Sequence, residues 1–319
     1  MKRPAVSVVI SCYNFERYIY ECLYSLVTQV TSFPFEIIIV DDCSTDASIS
    51  EIERVMQLFP NKIQLIKQQK NRGSDLTKQT GCNASVGKYI AFLDGDDFSY
   101  PNKLQLQFDY LESNPDCVLC YHDMELVNDN SELLGNTFAG SFYNQRFIPE
   151  KAEMKDLILY GTFIVASSQM FRREAYKANL LPASVKIVQD FYYHVHTASC
   201  GRFGRIDSVC GAYRQHSESF TAKNALSVER RFTCLNDILS ACDYALSLGL
   251  ADEIVKKGRS HFYYAAALYF LKRFNESSFL ECIEKSENNG LFFDIRHKKL
   301  FLLKSDFNAS LAYFNSTLT

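Results

Sequence analysis

The sequence predicts an α/β chain, a mostly parallel sheet flanked by helices, followed by a C-terminal α-helical appendage. Three observations predict it. Apolar runs recur at Val6–Ile10, Ile37–Val40, Ile63–Ile66 and Tyr89–Leu93. Helix-like stretches separate these runs. Beyond about residue 224 glycine and proline nearly vanish and helical periodicity takes over. Strands without polar–apolar alternation are buried on both faces, as in a parallel sheet covered by helices.

The elements follow in order. The first strand, within VSVVISCYN, is bounded by small and polar residues. Tyr18 to Gln29 reads as a helix, with Ile19, Cys22, Leu23, Leu26 and Val30 at helical spacing. The second strand ends on Asp41 and Asp42. A Ser/Thr/Asp turn then provides a cap for a helix over 49–59. Ile63–Ile66 is the third strand. Tyr89–Leu93 is the fourth, and it runs into Asp94, Asp96 and Asp97. Helices are expected over 226–247, 251–272, 275–287 and 296–314.

In open parallel sheets, ligands bind outside the carboxyl ends of the strands. Asp41, Asp42, Asp94 and Asp96 all fall at such ends. Carboxylates this close repel one another, and a divalent cation offsets that repulsion. Mg²⁺ and Mn²⁺ favour oxygen ligands, and Mg²⁺ commonly shares its shell between one or two carboxylates and substrate phosphates. A D-x-D here therefore points to a metal–diphosphate site. The bland alternative is a solvated acidic turn before Pro101.

The segments VSVVISCYN, EIIIVDDCSTD and NRGSDLTKQTGCNASVGKYIAFLDGDD, in this order and spacing, resemble the family 2 glycosyltransferases with the GT-A fold. The resemblance is strong over roughly the first 105 residues and extends more weakly to about residue 220. It implies inverting transfer of a sugar from a nucleotide-diphosphate donor with Mn²⁺ or Mg²⁺. It also implies a transferase domain over 1–222, its nucleotide-binding half to about 105 and its acceptor-binding half over 106–222. A helical region, 223–319, follows.

The resemblance assigns residues as well. Ser11 and Tyr13 match the loop that contacts the base, and Asp42, or its neighbour Asp41, the acid that reads the base edge. Lys78 stands where the family usually carries Arg, and a Lys lacks the planar two-pronged contact of Arg. Asp94 matches the ribose or metal shell, Asp96 the direct metal ligand. Asp97 orients the loop. In KIVQDFYYH the acidic pair is Gln189-Asp190, so Asp190 is the expected catalytic base. An acceptor hydroxyl must lose its proton as it attacks, and a carboxylate takes it. The bland alternative is a helix cap. GAYRQHSESFT resembles the closing Y-R-x-H-x-x-S-x-T motif through Tyr213, Arg214, His216, Ser219 and Thr221. Arg214 and His216 are expected to stabilise the leaving diphosphate, and His216 to complete the metal shell. Tyr121, His122, Asp123 and the run through Ser167 are expected on the acceptor side.

Composition bounds the remaining readings. The chain has 319 residues, 47% hydrophobic, and a formal net charge of −3, which gives no basic nucleic-acid footprint. Eleven scattered cysteines suit reduced thiols in a cytosol, and Cys117 and Cys120 read as core residues. Met1–Ala5 leads directly into the first strand without a signal peptide. No run of about 18 apolar residues predicts a membrane span. The expected location is cytoplasmic, with peripheral contact at the inner face of the membrane. The aromatic segment SHFYYAAALYFLKRF is read as helix packing, with membrane-surface contact the sharper alternative.

A dinucleotide-binding oxidoreductase would need G-x-G-x-x-G after the first strand, and SCYNFE has no glycine. A sugar-nucleotide pyrophosphorylase would show a glycine-rich basic loop at the same place. A non-catalytic nucleotide-sugar-binding or scaffold protein remains as the rival from a different class. UDP, the commonest donor nucleotide of the family, is the expected one. A saccharide, lipid-linked in bacterial surface polysaccharide assembly such as O-antigen or capsule, is the expected acceptor.

Overall fold

The computed structural model describes residues 3–142, 147–217 and 227–316. Ten strands are found there: β1 (Val6–Cys12), β2 (Phe35–Asp41), β3 (Ile63–Lys67), β4 (Tyr89–Asp94), β5 (Phe98–Ser99), β6 (Cys117–Val127), β7 (Leu133–Thr137), β8 (Lys151–Ala152), β9 (Gln169–Arg172) and β10 (Arg202–Arg214). They form one mixed sheet in the order β3-β2-β1-β4-β9-β6-β10-β5, with β7 beside β6 and β8 beside β10. β1 lies parallel to β2 and β4, and β2 parallel to β3. β9 is antiparallel to both β4 and β6, so β6 points the same way as β4. β10 lies parallel to β6. The carboxyl ends of these six parallel-running strands therefore share one edge.

Both faces of β1 are buried, which is why its sequence lacks alternation. Val6, Val8 and Ile10 share a core with α1 (Ile19–Val27), α2 (Ser48–Leu58) and α4 (Lys103–Ser113). Each such fully buried aliphatic side chain contributes about 1.5–3 kcal/mol. α3 (Ser74–Ala84) covers the opposite face, over Val9 and Val40. It comes so close that a Cβ on Gly81 would stand 2.4 Å from Val9 Cγ1. That glycine is a contact surface for the strand.

The chain divides into two compact units. The first comprises Met1–Glu153, Phe163–Leu180 and Cys200–Ser219, and contains the whole sheet. The second comprises Met154–Thr162, Leu181–Ser199 and Phe220–Thr319. The first unit also holds α5 (Phe138–Phe142), whereas two later helices that precede residue 222 in sequence, α6 (Met154–Tyr160) and α7 (Gln189–Ser199), cluster with the C-terminal helices. Those are α8 (Val228–Ser247), α9 (Asp252–Lys272), α10 (Glu276–Lys285), α11 (Ile295–Leu303) and α12 (Phe307–Ser316). The single helix expected over 296–314 is divided into α11 and α12. The cause is local: Asp306 Oδ1 accepts from the Ala309 N–H at 3.0 Å and caps a new helix. Within this unit Gly258 of α9 lies against α6, where a Cβ would meet Ile158 O at 2.4 Å.

Candidate active site

The carboxyl edge of the sheet gathers the expected donor residues. Ser11 Oγ, at the end of β1, donates to Asp94 Oδ1 at 3.2 Å. Lys78 Nζ, on α3, lies 3.6 Å from the same oxygen. The β4 strand can turn sharply after Asp94 because residue 95 is glycine. A Cβ there would meet Phe15 Cδ2 at 2.9 Å and Ser11 O at 3.0 Å. Tyr13 follows β1 and is 43% exposed.

The second acidic pair is divided by its hydrogen bonds. Asp42 is fully engaged: Oδ1 accepts from Arg72 N at 2.7 Å and Gln68 Nε2 at 3.1 Å, and Oδ2 from Gly73 N at 2.8 Å. It holds the turn in which Gly73, at φ 83°, caps α3. Asp41 Oδ2 accepts from Ser44 N at 3.0 Å, whereas its Oδ1 is buried with no hydrogen-bond partner. Cys12 lies beside this pair; burial, then the Asp41 charge, push its thiol up to about 12.

Asp96 Oδ2 stands 3.0 Å from His216 Nε2. The imidazole is backed by the Tyr18 ring, with centroids 4.9 Å apart. Tyr18 in turn donates from its hydroxyl to Asp129 Oδ1 at 2.6 Å. Asp97 turns inward. Its Oδ2 accepts from Ser167 Oγ at 2.5 Å and its Oδ1 from Arg214 N at 2.9 Å. Burial, then repulsion from Asp96 and Asp94, hold the Asp97 carboxyl well above the usual carboxylate range.

Arg214 departs from its expected role. Its side chain is buried, with Nε donating to Asp96 O at 2.8 Å. Nη1 donates to Asn128 O at 3.1 Å and Ser131 Oγ at 3.0 Å, and Nη2 to Glu21 Oε2 at 2.6 Å. Every guanidinium nitrogen thus has a protein acceptor, so in this geometry Arg214 braces the D-x-D loop and does not face a diphosphate. Ser219 and Thr221 lie outside the described residues.

Ser167 also differs from expectation. It is fully buried, accepting from Asp94 N at 2.9 Å while donating to Asp97. It supports the D-x-D loop from below and does not line an acceptor cleft. Its own carbonyl accepts from Lys103 Nζ at 2.6 Å. Burial lowers that lysine to about 8. Lys103, Glu21 and Asp129 carried no motif that sequence reasoning could have used.

His122 and Asp123 border a cavity of about 190 Å³ with Tyr121, Phe138, Phe163 and Arg205. The His122 ring itself is buried. Its Nδ1 pairs with Asp123 O at 2.8 Å, which makes Nδ1 the protonated nitrogen, and Nε2 has no partner. Burial, then the Lys103 charge, lower it to about 3, so it stays neutral. Asp123 Oδ1 accepts from Met124 N at 2.8 Å and Ala139 N at 3.1 Å.

Asp190 lies in the first turn of α7, in the helical unit. The turn that leads into it is held by a residue the motifs did not reveal. The buried Asp237 of α8 accepts from the backbone N–H groups of Lys186 (3.1 Å), Ile187 (2.6 Å) and Val188 (2.9 Å).

Among the described residues, no group of three or more His, Cys, Asp or Glu side chains could hold a metal ion alone. Asp96 and His216 converge as two donors. That fits a hard cation that completes its shell with diphosphate oxygens and water.

The glycosyl transferase family 2 model matches residues 7–180. The uncharacterized protein Rv1520 of Mycobacterium tuberculosis is 30% identical over 216 residues, 66% of this chain and 59% of that protein. The match thus spans less than two thirds of that relative. The crystal structure of S. aureus TarS 1-349 in complex with UDP-GlcNAc has a TM-score of 0.69 at 16% identity, covering 98% of this chain and 91% of that one. The mannosyltransferase PcManGT of Pyrobaculum calidifontis, in complex with GDP-Man and Mn²⁺, has a TM-score of 0.56 at 17% identity, covering 98% of this chain and 86% of that one. At these identities the structural likeness establishes the fold. The family match spans more than half of the chain and takes in both acidic pairs, and the protein belongs to glycosyl transferase family 2.

Proposed function

We propose that this protein is an inverting glycosyltransferase that moves a sugar from a UDP-sugar to a saccharide hydroxyl, using Mn²⁺ or Mg²⁺. The observation that carries the reading is the convergence of Asp96 Oδ2 and His216 Nε2 at 3.0 Å on the carboxyl edge of the sheet. Beside them Ser11, Asp94 and Lys78 form a connected polar cluster. The UDP-GlcNAc complex of TarS supports a UDP donor, and the Mn²⁺ complex of PcManGT supports a divalent cation.

Each residue then has a task. Asp41, whose Oδ1 is buried without a partner, reads the base edge by accepting a ring N–H. Asp42 supports it by fixing the turn that starts α3. Tyr13 borders the base, and Lys78 places its charge beside Asp94, toward the ribose and phosphates. Asp96 and His216 are the protein ligands of the cation, with Asp94 adjoining. When bound, the cation neutralises charge on the leaving diphosphate. Asp190 takes the proton of the attacking acceptor hydroxyl. Attack opposite the leaving diphosphate inverts the anomeric carbon.

The acceptor is a lipid-linked saccharide of bacterial surface polysaccharide assembly, handled at the inner face of the cytoplasmic membrane; this part rests on the family resemblance. The cavity beside Asp123 is the candidate acceptor subsite. The experiment is a screen of nucleotide sugars against saccharide acceptors with Mn²⁺ or with chelator, reading UDP release and product configuration by NMR. Metal-dependent transfer from a UDP-sugar with inversion is expected. Nucleotide-sugar binding without turnover on any acceptor would favour the non-catalytic binder, and a retained configuration would remove the proposed base.

A further inference from the structure

We propose that the outward face of residues 291–302 is a docking surface for an anionic lipid bilayer. This deepens the membrane-face placement proposed above by naming the surface that makes the contact, and vesicle binding tests it separately from sugar transfer. The face belongs to the helical unit and is built on α11, which buries only His297 and Leu300. On its other side Ile295 is 77% exposed and Leu302 70%, and Leu291 in the preceding turn is 64% exposed. Ile295 and Leu302 are seven residues apart, two helical turns, and so lie one above the other. Lys298 and Lys299, both exposed, stand between them at the i+3 and i+4 positions of the same face. Large aliphatic side chains grouped on an outward helix face mark an interaction site.

The neighbouring α12 packs within the unit, with the Phe307 ring 5.8 Å from that of Phe279, so the exposed apolar side chains are those of residues 291–302.

Charge decides which partner fits. Nearby cations are neutralised locally: Arg296 pairs with Asp294 at 2.9 Å, and Lys304 Nζ lies 3.6 Å from Glu284. Lys298 and Lys299 have no carboxylate within ion-pair distance among the described residues, and Lys299 Nζ lies 4.8 Å from the Tyr313 ring centroid. A second copy docked about a two-fold axis would bring these lysines against their own counterparts, and like charges disfavour that pairing. An anionic bilayer offers the opposite charge and an apolar interior within one surface. Among the described residues no helix is long and apolar enough to cross a membrane.

The test is sedimentation of the full chain with vesicles of phosphatidylcholine alone or with added phosphatidylglycerol. Co-sedimentation with the anionic vesicles, reduced by salt, is expected. The double variants Ile295→Ser/Leu302→Ser and Lys298→Gln/Lys299→Gln should each lower partitioning about tenfold or more. Their thermal unfolding should match the parent, because all four side chains are exposed. The proposal is overturned if the parent ignores anionic vesicles, or if either variant binds as the parent does. It is also overturned if analytical ultracentrifugation shows a dimer that the Ile295→Ser/Leu302→Ser change returns to monomer.

Discussion

His216 Nε2 meets Asp96 Oδ2 at 3.0 Å across a sequence separation of 120 residues. Two residues hold that meeting in place. Tyr18 backs the imidazole, and Arg214 lies over the Tyr18 ring at 4.7 Å. Arg214 Nε also holds the Asp96 carbonyl. The protein's own contacts thereby fix the geometry of both side chains, the preorganisation that the proposed cation site would use.

Replacing Asp96 with Ala should abolish metal-dependent nucleotide binding and transfer. His216→Ala should weaken Mn²⁺-dependent UDP affinity by about 10- to 100-fold. Calorimetric titration of UDP with and without Mn²⁺ reads both. If both variants bind UDP–Mn²⁺ as tightly as the parent, the metal assignment is wrong.

Arg214→Ala should act first on stability. A buried guanidinium with acceptors on every nitrogen leaves the Asp96 and Asn128 carbonyls without their donor when truncated, while Glu21, 42% exposed, can turn to water; the cost is about 1–3 kcal/mol. Urea unfolding measures it. A variant as stable as the parent but with turnover reduced at saturating donor would restore Arg214 to the diphosphate.

Asp42→Ala should loosen the turn at Arg72–Gly73 and, through the Gly73 cap, the start of α3 that carries Lys78. The expected outcome is a roughly tenfold weaker donor affinity, with turnover at saturating donor kept, from loss of about 1–3 kcal/mol of buried hydrogen bonding. A collapse of turnover with unchanged donor KM would contradict this role.

His122 makes an acid-stability prediction. Its folded value of about 3 lies below the ordinary 6.5 because burial disfavours the imidazolium. Between these values the unfolded chain binds the extra proton. The stability tied to neutral His122 is therefore complete above about pH 6.5 and falls as pH drops toward 3. His122→Phe should flatten that part of the pH profile in urea unfolding. An unchanged slope would mean that other groups govern the acid limb.

The strands β1 to β4 and both acidic pairs were legible because a strand buried on two faces writes a continuous apolar run, and a carboxylate at its end interrupts it abruptly. α3 was not legible. Its buried residues are Thr77, Gln79, Gly81 and Cys82, small or polar residues that leave no apolar stripe. Gly81 in particular reads as a helix breaker, yet it is there because β1 lies so near. The Y-R-x-H motif identified Arg214 and His216 as important, but a motif carries no side-chain direction. One of them meets Asp96 Oδ2 and the other turns inward. Ser167 and Asp237 act over sequence distances of 70 and about 50 residues, which no local pattern encodes.

The last prediction separates catalysis from its support. Asp190→Asn keeps the side chain's shape but cannot take a proton at neutral pH. Turnover should fall by about 10²- to 10⁴-fold, with donor KM and unfolding temperature unchanged. Asp237→Asn acts one step away. Its carboxylate accepts from three consecutive N–H groups just before α7, at Lys186, Ile187 and Val188. The amide retains one acceptor oxygen in place of two and loses the charge. The turn that presents Asp190 should then shift, lowering turnover about tenfold at unchanged donor KM and lowering the unfolding temperature as well. A purely structural Asp237 would lower the unfolding temperature and leave turnover of the folded fraction intact. The double variant discriminates further. Once Asp190 is Asn, adding Asp237→Asn should cost stability but almost no further turnover, because the group it positions no longer works. Additive losses in turnover would show that the two residues act on separate steps.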